Sequence, residues 1–215
     1  NQLVFQIVFL SRDCSVYGAQ DGMLDETSSI NPLSEYASSK VQAEEYLQNS
    51  DAIIFRLGTL FGISDEFSRI RLDLVVNILV TKALTEGKLT VFGGEQWRPL
   101  LHVNDVANAI NHTLEDGVTG IFNLHYKNFK IIDIANEIIQ KVPSAIIETT
   151  PMKFQDARNY QVSSEKLFNS TGFKAEVDLK SGIQEVFDLI SNNRIKDVNH
   201  IRYSNQNYLK KYGIE

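Results

Sequence analysis

The chain has 215 residues, 43% hydrophobic and 22% charged, with a formal net charge of −6. That is enough apolar chain to bury a core without staples, in one α/β domain or in a large and a small lobe. The acidic balance argues against a nucleic-acid surface, and no apolar run is long enough for a membrane helix. A single cysteine, Cys14, excludes an intramolecular disulfide and points to a reducing, cytoplasmic setting. An acidic protein can still hold a phosphorylated small ligand through helix N-termini and a few placed arginines.

Residues 2–10 read as the approach to, and body of, a strand buried on both faces, because residues 7–10 are continuously apolar. A strand so close to the first residue leads us to expect further residues upstream. Residues 11–18 follow, then a polar loop to 31. Pro32 and Ser34 precede a helix predicted over 35–47, and 52–58 read as a second buried strand ending in a glycine-containing loop over 58–62. Strand, helix and strand at this spacing predict a βαβ unit with parallel pairing and a right-handed crossover. Residues 73–86 are predicted helical and closed by Gly87, and 89–92 form a short strand. Residues 97–103 are predicted to be extended and at a sheet edge, since Pro99 cannot donate to a ladder. Asn104 or Asp105 is expected to cap a helix running to 115. A strand over 120–124, a helix over 131–141, an extended segment over 159–162 and short helices over 164–169 and 179–190 complete the pattern. Beyond 191 the polar tail reads as a terminal helix or a loosely held arm.

Tyr36 and Lys40 stand four residues apart on one face of the first predicted helix. A phenol titrates near pH 10, and bringing it to about 7 takes roughly 4 kcal/mol. An ammonium about 4 Å away supplies that much at an effective dielectric near 20. The pair is therefore a way to keep a tyrosine usable as acid or base at neutral pH.

Four segments carry a resemblance: Cys14-Ser-Val-Tyr-Gly18, Tyr36-Ala-Ser-Ser-Lys40, Arg56-Leu-Gly-Thr-Leu-Phe-Gly62 and Arg98-Pro-Leu-Leu-His-Val-Asn-Asp105. In this order and spacing the chain resembles the extended short-chain dehydrogenase/reductase superfamily, in its NAD-dependent nucleotide-sugar epimerase/dehydratase branch. The resemblance implies an α/β fold, a Rossmann-like parallel sheet holding NAD or NADP, with a smaller α+β C-terminal lobe for a nucleoside-diphosphate sugar. Residues 1–62, with 98–125 returning, would be the remainder of the dinucleotide-binding domain. Residues 63–97 and 126–190 would form the substrate lobe, and 191–215 a tail.

By the same resemblance Tyr36 would be the acid/base for a sugar hydroxyl, and Lys40 would lower its pKa and hold the nicotinamide ribose. Ser11, Gly58 and Thr59 would line the cofactor. Thr59 also faces the sugar, where the family often has Asn, so one hydroxyl replaces an amide. Arg98 would grip the diphosphate, for which a guanidinium fork is suited. Asp156 and Arg158 would contact the nucleotide ribose and phosphates, and Asn77 a phosphate or the sugar. His102 is expected to be a structural hydrogen-bonder at a strand end. Two copies would pair through the Tyr36 helix into a homodimer.

The chain also departs from the family's pattern. None of its twelve glycines forms the Gly-x-x-Gly-x-x-Gly turn that anchors the cofactor pyrophosphate. The first strands of the cofactor domain are therefore expected to be absent, and this stretch alone is expected to bind NAD poorly. Asp13 stands where the family has a catalytic Ser or Thr. An ionised carboxylate cannot donate to a substrate oxygen and raises the pKa of a neighbouring phenol. Ser11 or Ser15 can take over that donor role if the loop is shifted. Cys14 and Ser15 replace the Asp-Glu pair of sugar 4,6-dehydratases, which disfavours dehydration and leaves epimerisation or keto-sugar reduction. Two other readings stand beside this one: a degenerate, non-catalytic nucleotide-sugar-binding relative, and a reductase of a non-nucleotide carbonyl substrate. Arg98, Asp156 and Arg158 argue against the latter, whose substrate carries no diphosphate.

Overall fold

The structure, a computed structural model, describes residues 8–11, 14–65, 67–151 and 159–213. Asp13, Asp156 and Arg158 lie outside the described residues. Strand β1 (Val8–Ser11) is followed by a 3-10 turn over Cys14–Tyr17, a short strand β2 (Met23–Leu24) and helix α1 (Glu35–Leu47). The chain then enters β3 (Ile53–Leu57), every residue of which is buried. β1 and β3 pair in parallel, Val8 opposite Ile53, so the predicted βαβ unit is present. Ser34 starts α1 by accepting from the Ala37 amide at 3.1 Å.

Past Gly58 the chain makes β4 (Thr59–Phe61), helix α2 (Val75–Glu86), β5 (Lys88–Phe92) and β6 (Trp97–His102). Then come α3 (Val103–Asp116), β7 (Gly120–Leu124), β8 (Lys127–Lys130), α4 (Ile131–Lys141) and β9 (Ile146–Thr150). β10 (Gln161–Val162), α5 (Glu165–Thr171), α6 (Leu179–Ser191) and α7 (Asn205–Tyr212) follow. The parallel sheet has the order β1-β3-β7, and a second sheet the order β4-β6-β8. β5 with β9 and β10 with β2 form two parallel pairs.

Among the described residues the two largest apolar cores lie on either side of β6. One gathers Ile53, Phe55, Leu57, Phe122 and Leu124 of the parallel sheet with Ala109 of α3. The other gathers Val76 and Val80 of α2, Leu89 of β5, Ile134 and Ile138 of α4, and Ile183 and Val186 of α6. β6 serves both, because strand side chains alternate: Leu100 enters the second core and Leu101 the first.

Three expectations are corrected. Residues 59–61 are a strand and not a loop, since they pair in parallel with β6 from Leu100 to His102. β6 is consequently the middle strand of its sheet and not an edge. Pro99 is tolerated because the β4 ladder begins one residue beyond it, at Leu100. α3 is capped by neither Asn104 nor Asp105: the His102 ring accepts from the Asn104 amide, and buried Asp105 instead accepts from the Val177 amide at 3.0 Å.

Candidate active site

The root of the site is a buried polar network. Gly18 closes the 3-10 turn at φ +70, and a Cβ there would overlap the Asn31 carbonyl oxygen. The Asn31 amide donates to the Val16 carbonyl at 2.9 Å, so the polar loop returns to the turn just before α1 starts. This explains why the Val-Tyr-Gly segment needs its glycine. Tyr17 Oη donates to Asn123 Oδ1 (2.8 Å) and accepts from Arg56 Nη1 (2.9 Å). Arg56 in turn donates through Nε and Nη2 to Glu44 of α1, the shortest contact being 2.7 Å. Burial pushes the Tyr17 phenol well above its ordinary range, and the nearby Arg56 charge only partly opposes this. Tyr17 therefore keeps its proton and serves as a strut. For Arg56, burial works against the charge, but the hydrogen bonds and charge of Glu44 outweigh it and the guanidinium is held charged. Glu44 and Asn123 have no motif of their own, and sequence reasoning missed both.

The network fixes the inner end of α1, leaving its outer end at a cleft. α1 buries little apolar surface, Ala37 fully and Val41 in part, so the polar anchor at Glu44 adds to a small apolar contact. Tyr36 is 47% exposed. It borders a cleft of about 870 Å³ together with Thr59, Gly62, Arg69, Arg71, Asp73 and Arg98. Lys40 Nζ lies over the Tyr36 ring, 5.4 Å from its centroid, as the four-residue spacing predicts. The ammonium thus faces the π-system of the ring that carries the hydroxyl.

The other expected site residues divide. Thr59 and Arg98 border the cleft with Tyr36. Arg98 is only 3% exposed and donates from Nη1 to the Trp97 carbonyl at 2.8 Å. Gly58 has no room for a side chain: a Cβ would stand 2.9 Å from the Pro99 carbonyl oxygen. Ser11 ends β1 in register with Arg56. Ser15 and Cys14 are buried in the 3-10 turn, and the Cys14 thiol donates to the Arg56 carbonyl at 3.3 Å.

Asn77 is a correction. It is fully buried, its Oδ1 accepts from the Gly62 amide (3.1 Å), and its Nδ2 donates to the Gly62 and Arg71 carbonyls (2.9 and 2.8 Å). Its amide shapes the loop after β4 and has nothing left for a phosphate. His102 is structural, as expected. It is buried, 2.9 Å from Glu185 through Nε2 and 3.2 Å from the Asn104 amide through Nδ1.

Sequence reasoning also missed the cleft's other wall. Arg69, Arg71 and Asp73 lie in the irregular segment between β4 and α2, and Asn205 opens α7. The one available signal was the pair of arginines in Ser68-Arg-Ile-Arg-Leu-Asp73, just before a helix N-terminus. Arg71 grips Asp73 with two hydrogen bonds, of 2.8 and 3.1 Å. Burial pushes the Asp73 carboxyl up, but Arg71 and the Asn205 amide outweigh it and hold it below the usual carboxylate range. With Arg98 this gives three guanidinium groups and one carboxylate, a lining suited to an anion.

A model of the NAD dependent epimerase/dehydratase family matches residues 2–125, more than half of the chain. The chain belongs to that family. This epimerase/dehydratase family member is 30% identical over 207 residues to the "Putative UDP-glucose 4-epimerase" of Methanocaldococcus jannaschii, covering 87% of this chain and 64% of that one. Its fold is similar to that of an NAD-dependent NDP-hexosamine 5,6-dehydratase involved in tunicamycin biosynthesis (TM-score 0.77, 21% identity, 89% of this chain and 65% of that one). It is also similar to the UDP-glucuronic acid 4-epimerase of Bacillus cereus, solved with UDP-glucuronic acid and NAD (TM-score 0.75, 23% identity, 87% and 62%). The chain thus spans a little under two thirds of the length of these relatives.

Among the described residues no cluster of His, Cys, Asp or Glu could hold a metal ion, and no helix is long and apolar enough to cross a membrane. A second cavity, of about 390 Å³, is bordered by His125, Ser164 and Phe168 and has no arginine in its wall. Burial pushes the His125 imidazole down to about 4, so it stays neutral. That cavity thus lacks the arginines that border the first.

Proposed function

We propose that this family member is an NAD(P)-dependent epimerase or ketoreductase of a nucleoside-diphosphate sugar, with Tyr36 as acid/base. The observation that carries the reading is one cleft with Tyr36 at one wall and Arg69, Arg71 and Arg98 along others. A diphosphate held by guanidinium groups would bring its attached hexose within reach of the phenol. The complexes of similar proteins with UDP-glucuronic acid and NAD support the class of both ligands.

The residues present fit the nicotinamide end of the cofactor. Tyr36 and Lys40 form a hydroxyl and ammonium set on one helix face, suited to a ribose diol. The sequence holds no Gly-x-x-Gly-x-x-Gly turn, the element suited to the pyrophosphate end. When bound, the cofactor would accept hydride from a sugar carbon or return it. Tyr36 Oη takes the proton of that carbon's hydroxyl as the hydride leaves, and gives it back when the hydride returns. The Lys40 cation favours the phenolate that makes the first transfer possible. Thr59 offers its hydroxyl to the sugar. Arg98, with Arg71 and Arg69, orients the diphosphate so that one carbon faces Tyr36.

Cys14 and Ser15 offer no carboxylate for drawing a proton from carbon or protonating a leaving hydroxyl, which favours epimerisation or reduction over elimination. Residues 1–62 and 98–125 are assigned within this proposal to the cofactor side, and 63–97 with 126–190 to the substrate side, the two being joined by Leu167 and Ala175 in the first core and by Phe61 and Leu100 in the second. Pairing of two copies through α1 belongs to the same proposal, supported by Tyr46, which stands 88% exposed on that helix.

The test uses the full-length protein with UDP-, GDP-, CDP- and dTDP-sugars, following binding and the reduced-nicotinamide absorbance together. Turnover is expected with one nucleotide class. Tyr36→Phe should lower kcat by about 10²–10⁴-fold while nucleotide-sugar binding persists. Binding without turnover in the wild-type protein would favour the non-catalytic relative, and no binding at all would end the nucleotide-sugar reading.

A further inference from the structure

We propose that Asn205, at the start of α7, is a positioning residue for the arginine wall of the cleft, assisted by Tyr208. The proposal rests on the function proposed above, for which that wall receives the diphosphate. Arg69 and Arg71 lie on a segment without regular secondary structure, and something must hold it before an anion arrives. The C-terminal residues do so at Leu72, Arg69 and Asp73.

Buried Leu72 sits in a small apolar cluster with Leu189 and Ile195, with Tyr203 packed against it. Its amide donates to the Tyr203 carbonyl at 3.0 Å. Arg69 donates from Nη2 to Asn205 Oδ1 (2.6 Å) and from Nη1 to the Arg202 carbonyl (2.9 Å). Its guanidinium lies over the Tyr208 ring, 4.7 Å from the centroid. Finally, the Asn205 amide donates to Asp73 Oδ2 at 2.7 Å, and Asp73 holds Arg71.

Asn205 is therefore joined to both arginines, to Arg69 by its side chain and to Arg71 through Asp73. It also borders the cleft itself. The acceptors of Arg69 are both neutral, a carbonyl and an amide oxygen. They fix its direction and leave its charge available to an anion. An arginine held in one rotamer beforehand loses less entropy on binding than a mobile one. Asn205→Ala removes the side-chain contact but keeps the amide that caps Asp73, so the tail stays docked.

The experiment titrates the full-length protein with UDP and measures turnover of the nucleotide sugar it accepts. Asn205→Ala should weaken UDP binding and raise the sugar KM by about tenfold, the size expected for a hydrogen bond to a charged group. The kcat and the affinity for NAD should stay as they were. Arg69→Ala should weaken UDP similarly, and the double variant should be no weaker than Arg69→Ala alone, since one residue acts through the other. Tyr208→Phe, which keeps the ring, should match the wild type, while Tyr208→Leu should not. Wild-type UDP affinity in Asn205→Ala, or losses that add in the double variant, would overturn the proposal while leaving the enzyme reading intact. A wild-type protein that binds no UDP or nucleotide sugar would overturn both.

Discussion

Two arginine–carboxylate pairs in this molecule use the same chemistry for opposite ends. Arg56 and Glu44 meet at 2.7 Å with 2% and 3% of their side chains exposed. Arg71 and Asp73 meet at 2.8 Å with 29% and 22% exposed. The first pair is sealed among Tyr17, Asn123 and the parallel sheet, and it anchors the helix that carries Tyr36. The second stands at the cleft wall, where the Asn205 amide of α7 donates to Asp73. A buried pair is costly to break because the surviving charge is stranded, whereas water screens the survivor of a half-exposed one. The helix that carries Tyr36 is thus hung on a sealed pair, and the cleft wall on a half-exposed one.

The hardest way to break this comparison is Glu44→Ala. It strands the Arg56 guanidinium and should destabilise the protein by roughly 3–5 kcal/mol in a urea titration. A loss below about 1 kcal/mol, the range of a surface pair, would mean that the pair does not anchor α1. Gly18→Ala comes next. The residue sits at φ +70 against the Asn31 carbonyl. Strain of this kind should cost about 1–3 kcal/mol, with the backbone overlap adding to it. The same titration checks it, and a neutral result would show that the loop can shift without harm.

How much of this was legible in the sequence follows from the range of the forces involved. α1, β7 and α4 lie where periodicity and local caps put them, because both signals act within a few residues. Tyr36 and Lys40 were legible for the same reason: one helical turn fixes their relation. β8 and β9 were not foreseen. β8 exists through pairing with β6 and β9 through pairing with β5, and no local pattern announces a partner. Asn77 was assigned to the cleft because its helix was read as facing it. Its amide is instead consumed by backbone groups at Gly62 and Arg71, which a linear reading cannot see. Asn205 was missed for the converse reason: it meets Arg69 across 136 residues of chain.

The smallest expected effect sharpens the comparison most. Asp73→Asn keeps one oxygen for the Asn205 amide and removes the charge opposite Arg71 together with the oxygen that accepts from Arg71 Nε. For a pair this exposed the loss of stability at neutral pH should be below about 1 kcal/mol. The pH dependence identifies its source. The Asp73 carboxyl is held below the ordinary value of 3.8, so its contribution is complete above that pH and disappears as pH falls through its lower folded value. Wild type and variant should therefore differ by a constant small Tm at neutral pH and converge below pH 3.8. Glu185 is also held below its ordinary value, where burial is outweighed by its hydrogen bond to His102, and it weakens both proteins in the same acid direction. The convergence has to be read from the difference between the two curves, since each falls on its own. A gap that persists at the acid end would mean that Asp73 acts through shape and not charge, and the two arginine pairs would then differ in kind as well as in exposure.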